Sequence, residues 1–412
     1  MKQVIKETSR FMWRSEKNRL FMVITTALVL LYTLFVVPNL SSEDEMNVRN
    51  LERDMNGNVV QFEQALQDGL IVPNALTGTT AYNQLRREYI NQREVLTALK
   101  HGDVKRYIQT SYRSSIEGTE RTGVEALVFS ALGYELEQPF QQQKNAIYLT
   151  EEENLTFHTV HDRTSLQQLH LFLLGYGPIL LLAGLIFMIS DIHVKDRSLN
   201  TQKIGHPLNW GTYNWVQSMT ALGFVLLFYI GLGVLFFSLN GLLHGFGSLD
   251  LPVGYFNADF SMGVLNADNF QVRTISWFIL HALPYLLLLG YLFTRLNTLL
   301  SLWTRQSVVT MALGFFILLF QFIYYGSDSR LLLGFPITNF PQTYFDIGKV
   351  ITGRFELQIA TPVPDLFTHG LLVLGATILV TEIMTFISSK IMTRQKFFSG
   401  SIKTSMKNNK SE

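Results

Sequence analysis

An α-helix needs about 20 consecutive apolar residues to cross the hydrocarbon of a bilayer, and this chain supplies such runs repeatedly. The first, LFMVITTALVLLYTLFVVPNL, starts at Leu20 and is read as a span over 20–39. Further runs lie at 168–190, 215–240, 274–294, 306–325 and 366–389. Six such runs predict an all-α membrane protein with six transmembrane helices, because an open chain can satisfy its backbone groups in lipid only as helices or a closed barrel. A chain that is 48% hydrophobic and only 16% charged, with 31 Phe, is also too apolar for an ordinary water-soluble domain. The first run is longer than a signal-peptide core and has no small-residue cleavage site after it, so it reads as an uncleaved span.

Six spans put both termini on one side, and Lys and Arg choose the side. Lys2, Lys6, Arg10, Arg14, Lys17 and Arg19 lead in, while Lys390, Arg394, Lys396, Lys403, Lys407 and Lys410 trail out. Lys195, Arg197, Lys203, Arg295 and Arg305 mark the short connections, whereas the stretch Leu242–Gln271 carries acids and no Lys or Arg. Both termini are therefore expected in the cytoplasm of a multi-pass cell-membrane protein, taken to be in a bacterial plasma membrane. Residues 1–19 mix Val4, Ile5, Phe11, Met12 and Trp13 with charges, as an interfacial helix does. Residues 390–412 read as a basic cytoplasmic tail.

Residues 40–167 fall outside the membrane. They are rich in Leu, Glu, Gln and Arg with apolar residues three or four apart, which predicts an extracellular helical insertion between the first two spans. That pattern fits a bundle standing alone or one packed partly against a second chain. Residues 331–345, LLLGFPITNFPQTYF, are apolar, too short to cross and broken by Pro336 and Pro341, so a re-entrant or interfacial segment is expected.

The sequence excludes several chemistries. With no cysteine there are no disulfides, thiolate nucleophiles or Cys-ligated metals. A net charge of +1 without a basic stripe gives no case for nucleic acid. Gly348-Lys349 is followed by Val350 and has Thr343 where a phosphate loop needs its first glycine, so no ATPase site of that type is present. His158 and His161 near Asp162 could share a helix face, but no third metal ligand is fixed by spacing, and no metal site is assigned. Within the spans the ionisable candidates are Glu382, His281 and His369. An unpaired carboxylate in hydrocarbon is costly, so Glu382 calls for a partner such as Arg295, Arg305 or a histidine.

Between the second and third apolar runs lies SDIHVKDRSLNTQKIGHPLNW, a polar segment of fair helix propensity stopped by Gly205 and Pro207 within the connection 191–214. Trp210, Tyr213 and Trp215 then mark the membrane interface. The arrangement resembles the permease subunits of ATP-binding-cassette transporters of the type-2 exporter family, whose corresponding loop reads Lys-Glu-Arg-Gly-Thr followed by a proline. Here Lys195, Asp196 and Arg197 match, Pro207 supplies the proline, and Ser198-Leu199 replace Gly-Thr. The resemblance implies a coupling helix using Asp191, Lys195, Asp196, Arg197, Lys203 and Pro207 to meet a cytosolic ATPase subunit that holds ATP and magnesium. It also implies a second permease subunit, like or unlike, surrounding membrane lipids, and an amphiphile such as a lipid or peptide as cargo. This chain would then be a transport subunit without enzymatic activity or a cofactor of its own. The competing expectation is a non-transporting receptor or immunity protein acting through 40–167.

Overall fold

The computed structural model describes residues 1–39, 48–68, 80–110, 137–151, 155–197, 208–257, 270–304, 306–320, 322, 331–355 and 365–398. The chain is a mostly helical membrane protein, and among the described residues five helical segments are long and apolar enough to cross a bilayer.

Helix α1 (Lys2–Arg14) buries Val4, Thr8 and Met12, spaced four apart on one stripe, and leaves its charges outside. The chain bends at Ser15, and α2 (Glu16–Leu31) runs on through a π turn and a 3-10 turn to Asn39 as the first spanning segment. At the end of the molecule away from the termini stand α3 (Val48–Gln67), α4 (Ala81–His101) and α5 (Glu137–Glu151). The Thr80 side chain caps α4 by accepting from Asn83 N, and Gly102, at φ 70°, takes the left-handed turn that ends it. Leu51, Leu96, Ala98, Tyr107, Ile108 and Tyr148 from this helical part share one core with Val253 and Ile275 of the membrane part, so the insertion is packed onto the bundle.

The second apolar run is two helices. α6 (Ser165–Leu174) and α7 (Gly177–Ile189) are broken at Gly175-Tyr176, with Pro178 starting the second piece. A Cβ on Gly177 would lie 2.2 Å from the Phe172 carbonyl oxygen, so the bend admits only glycine. α7 is apolar on every side and is the bundle's centre: its span is 72% buried, against 6% for the third. Around it lie α2, α9 (Trp210–His244), α10 (Ile275–Trp303) and α11 (Ser307–Leu319), while α13 (Leu366–Ile391) flanks α10 on its other side. Helix α8 (Ile192–Asp196) closes the terminus end directly after α7, and α12 (Ile347–Ile351) lies at the far end.

The helical class holds, with two small strand pairs beside the helices: Pro252–Phe256 (β1) and Phe270–Thr274 (β2) form an antiparallel ribbon with Gly254 opposite Val272, and Leu331–Leu332 pairs with Phe335–Pro336. β-Branched and aromatic residues at Val253, Tyr255, Phe256, Phe270 and Val272 favour that ribbon. The run at 306–325 gives a helix of 13 residues, too short to span by itself, and residues 321 and 323–330 lie outside the described set. Residues 331–345, read as too short to cross, form 3-10 turns at Ile337–Asn339 and Pro341–Phe345 that press Ile337, Tyr344 and Phe345 into the main core. Of residues 390–412, read as a basic tail, Phe397 and Phe398 are buried against Leu302, and 399–412 lie outside the described residues.

Candidate functional site

At the terminus end, α8 is too short to hold its shape alone. Its form depends on side chains that tie it to its neighbours. Asp191, buried at its start, accepts from Lys17 Nζ of α2 at 2.8 Å and from Lys195 Nζ at 3.0 Å. The same Lys17 ammonium donates to the Phe187 carbonyl at 2.6 Å and to Ser190 Oγ at 2.9 Å, spending all three of its protons at the end of α7. Asp196, also buried, accepts from Tyr213 Oη at 2.7 Å and Gln217 Nε2 at 2.8 Å, both on α9. Arg197 Nη2 donates to the Leu302 carbonyl at 2.9 Å, where the last turn of α10 has acceptors with no helical partner. Its guanidinium lies 4.1 Å above the Phe397 ring. His193 Nε2 sits 3.3 Å from Thr298 Oγ1 of α10.

One layer deeper, Arg295 and Glu382 join α10 to α13. Arg295 Nε and Nη2 donate to Glu382 Oε1 and Oε2 at 2.5 and 2.9 Å, and Tyr291 Oη donates to Oε1 at 2.8 Å. Arg295 Nη1 reaches Ser218 Oγ of α9 at 3.3 Å, and Ser218 Oγ lies 2.7 Å from Thr298 Oγ1. Polar contacts therefore run from Glu382 through Arg295, Ser218 and Thr298 to His193 on α8. A planar guanidinium with two carboxylate bonds is the pairing best able to survive burial.

The last described residues fold under this layer. Trp210 Nε1 donates to the Met392 carbonyl at 3.1 Å, and Arg394 donates to the Leu208 carbonyl while its guanidinium stands over the Trp210 and Tyr213 rings. Desolvation there lowers the Arg394 pKa from the usual arginine value.

The expected coupling residues thus divide. Asp191, Asp196 and Arg197 converge, but on the chain's own helices rather than outward; of the described ones, Lys195, with about half its side chain exposed, faces solvent most. Lys203 and Pro207 lie outside the described residues, as does Arg305. Tyr213, read as an interface marker, is buried and holds Asp196. His281 Nδ1 is 2.7 Å from the Trp277 carbonyl, and His369 Nδ1 is 2.7 Å from Tyr344 Oη, so each imidazole serves packing at the far end, away from Glu382. His158 faces His244 ring to ring, and no cluster of three metal-ligating side chains occurs among the described residues. Lys17, Gln217, Ser218 and Tyr291 escaped the sequence reading. Lys17 had counted only as topogenic charge, and the other three are uncharged residues inside spans, whose only signal is polarity within an apolar run. No family model matches the chain, and neither a curated protein nor a solved structure matches it.

Proposed function

We propose that this chain is the membrane-spanning permease subunit of an ATP-binding-cassette exporter of the type-2 class. In this reading six spans, the fifth of them at 306–325, carry both termini into the cytoplasm of a bacterial cell, and two such subunits move an amphiphile between them. ATP and magnesium are held by a separate cytosolic subunit. The observation that carries the proposal is the wiring of segment 191–197: Asp191 is tied to α2, Asp196 to α9 and Arg197 to the end of α10 and the C-terminal segment. A short helix joined to three spans is suited to spreading one displacement over the bundle, which a transporter driven from outside the membrane requires.

The inward direction of Asp196 and Arg197 dictates the test. Reversing their charges would break the hub with or without a partner, so the informative change replaces 198–207 by a Gly-Ser linker of equal length. Co-purification with a cytosolic ATPase and stimulation of its turnover are expected from the native chain and lost in the linker variant, with the unfolding temperature unchanged. A purified chain that exports cargo with no ATPase present would overturn the proposal. So would a linker variant that stimulates the ATPase as the native chain does.

A further inference from the structure

The corner between α1 and α2 encloses an open cavity of about 460 Å³ lined by Phe11, Arg14, Ser15, Glu16, Lys17 and Lys195. Three of those side chains are cationic and come from two chain segments far apart in sequence. Arg14 makes no hydrogen bond or ion pair among the described residues, whereas Lys17 and Lys195 share the single carboxylate of Asp191. Counting Asp191 and the exposed Glu16, the corner retains an excess of positive charge. Ser15 is the N-cap of α2, a helix of 16 residues, yet its side chain caps nothing. Its Oγ has no hydrogen-bond partner among the described residues, although the residue is only 6% exposed. A helix start of this length leaves backbone N–H groups unpaired and favours negative charge in front of them. Trp13, two residues before the bend, is 63% exposed, as an indole at headgroup depth would be.

From this convergence we propose that the α1–α2 corner is a binding site for a phosphate-type anion, with Arg14 and Lys195 as its outer clamps, Lys17 at its base, and Ser15 Oγ and the α2 N-terminus as hydrogen-bonding groups. The anion's source is either the headgroup phosphate of an acidic phospholipid or free inorganic phosphate. An unpaired guanidinium beside a helix start recognises the phosphate oxygens in both. Because Lys17 and Lys195 both bond Asp191, an occupied corner braces α1 and α2 against α8. The proposal does not depend on the transporter reading.

The full chain in detergent tests it, read by unfolding temperature and by native mass spectrometry with short-chain phosphatidylglycerol, short-chain phosphatidylcholine or inorganic phosphate. Preferential retention of phosphatidylglycerol, with a rise in unfolding temperature, assigns the lipid headgroup; a comparable rise with inorganic phosphate alone assigns the free anion. In either case Arg14→Gln with Lys195→Gln should weaken binding about tenfold or more while leaving the unliganded unfolding temperature close to that of the native chain, and Ser15→Ala should weaken it less. Equal binding of both lipids with no response to phosphate would overturn the proposal, as would undiminished binding by the double variant. If the double variant unfolds early, Arg14→Gln alone is decisive, since Arg14 has no bond in the described structure to lose.

Discussion

Arg295 and Glu382 face each other with two guanidinium nitrogens on two carboxylate oxygens, eight or nine residues inside the ends of α10 and α13. At 1.5 Å per residue that is about 12–14 Å from the terminus face of the bundle. Ser218 stands at the same depth on α9. A charged pair at that depth is retained only if each member answers the other.

Removing one member should therefore cost more than removing both. Glu382→Gln leaves the Arg295 charge, 4% exposed, without its carboxylate, and a loss of about 3 kcal/mol is expected. Arg295→Met combined with Glu382→Leu should recover much of it. Thermal unfolding of the three proteins in one detergent checks the order, and single variants as stable as the native chain would refute the account.

At Arg197 charge and shape act together. Arg197→Ala takes a donor from the Leu302 carbonyl and a cation from the Phe397 ring, at an expected cost of about 1–2 kcal/mol. Arg197→Lys should restore only part, because an ammonium lacks the planar face. A double-mutant cycle with Phe397→Ala isolates the ring contact; a coupling energy of zero would show that the stacking contributes nothing.

Asp191→Asn should loosen the N-terminal corner before the rest of the bundle. Lys17 keeps Phe187 O and Ser190 Oγ but loses its carboxylate, at about 1–3 kcal/mol. The expected readout is faster proteolysis within residues 1–15 and greater mobility of a spin label on α1. A cleavage rate identical to the native chain would mean that Asp191 is not the tether.

Two glycines should behave in opposite ways. A Cβ on Gly348 would sit 2.3 Å from Leu174 Cα, where α12 meets the break between α6 and α7, so Gly348→Ala must push backbone against backbone. A loss of about 1–3 kcal/mol is expected. Gly375, in mid-α13, has nothing within 4 Å of its Cβ position, and Gly375→Ala should be neutral or stabilise by up to about 1 kcal/mol through helix propensity. Unfolding temperatures that move together would contradict the packing.

Much of this was legible in the chain. The lengths of five of the six apolar runs marked the spanning helices, and the isolation of Glu382 in such a run demanded a partner, with Arg295 among the three candidates. The α6–α7 break was written in Gly175-Tyr176-Gly177-Pro178, but an average over an apolar window passes over one bend. The β1–β2 ribbon was hidden for the converse reason: Leu242–Gln271 was weighed for charge, and its alternation of β-prone residues was too short to stand out.

Hydrophobic length and Lys/Arg placement are local and additive, so the sequence by itself determined that the chain is a helical membrane protein and roughly where its spans lie. The direction of a charged side chain is neither local nor additive. Asp191, Asp196 and Arg197 read as parts of one polar segment along the chain, and only the tertiary structure turned each toward a different partner: Lys17, Tyr213 with Gln217, and the open end of α10. Those groups lie up to 174 residues away in sequence, and burial leaves each charge no better course than to bond them.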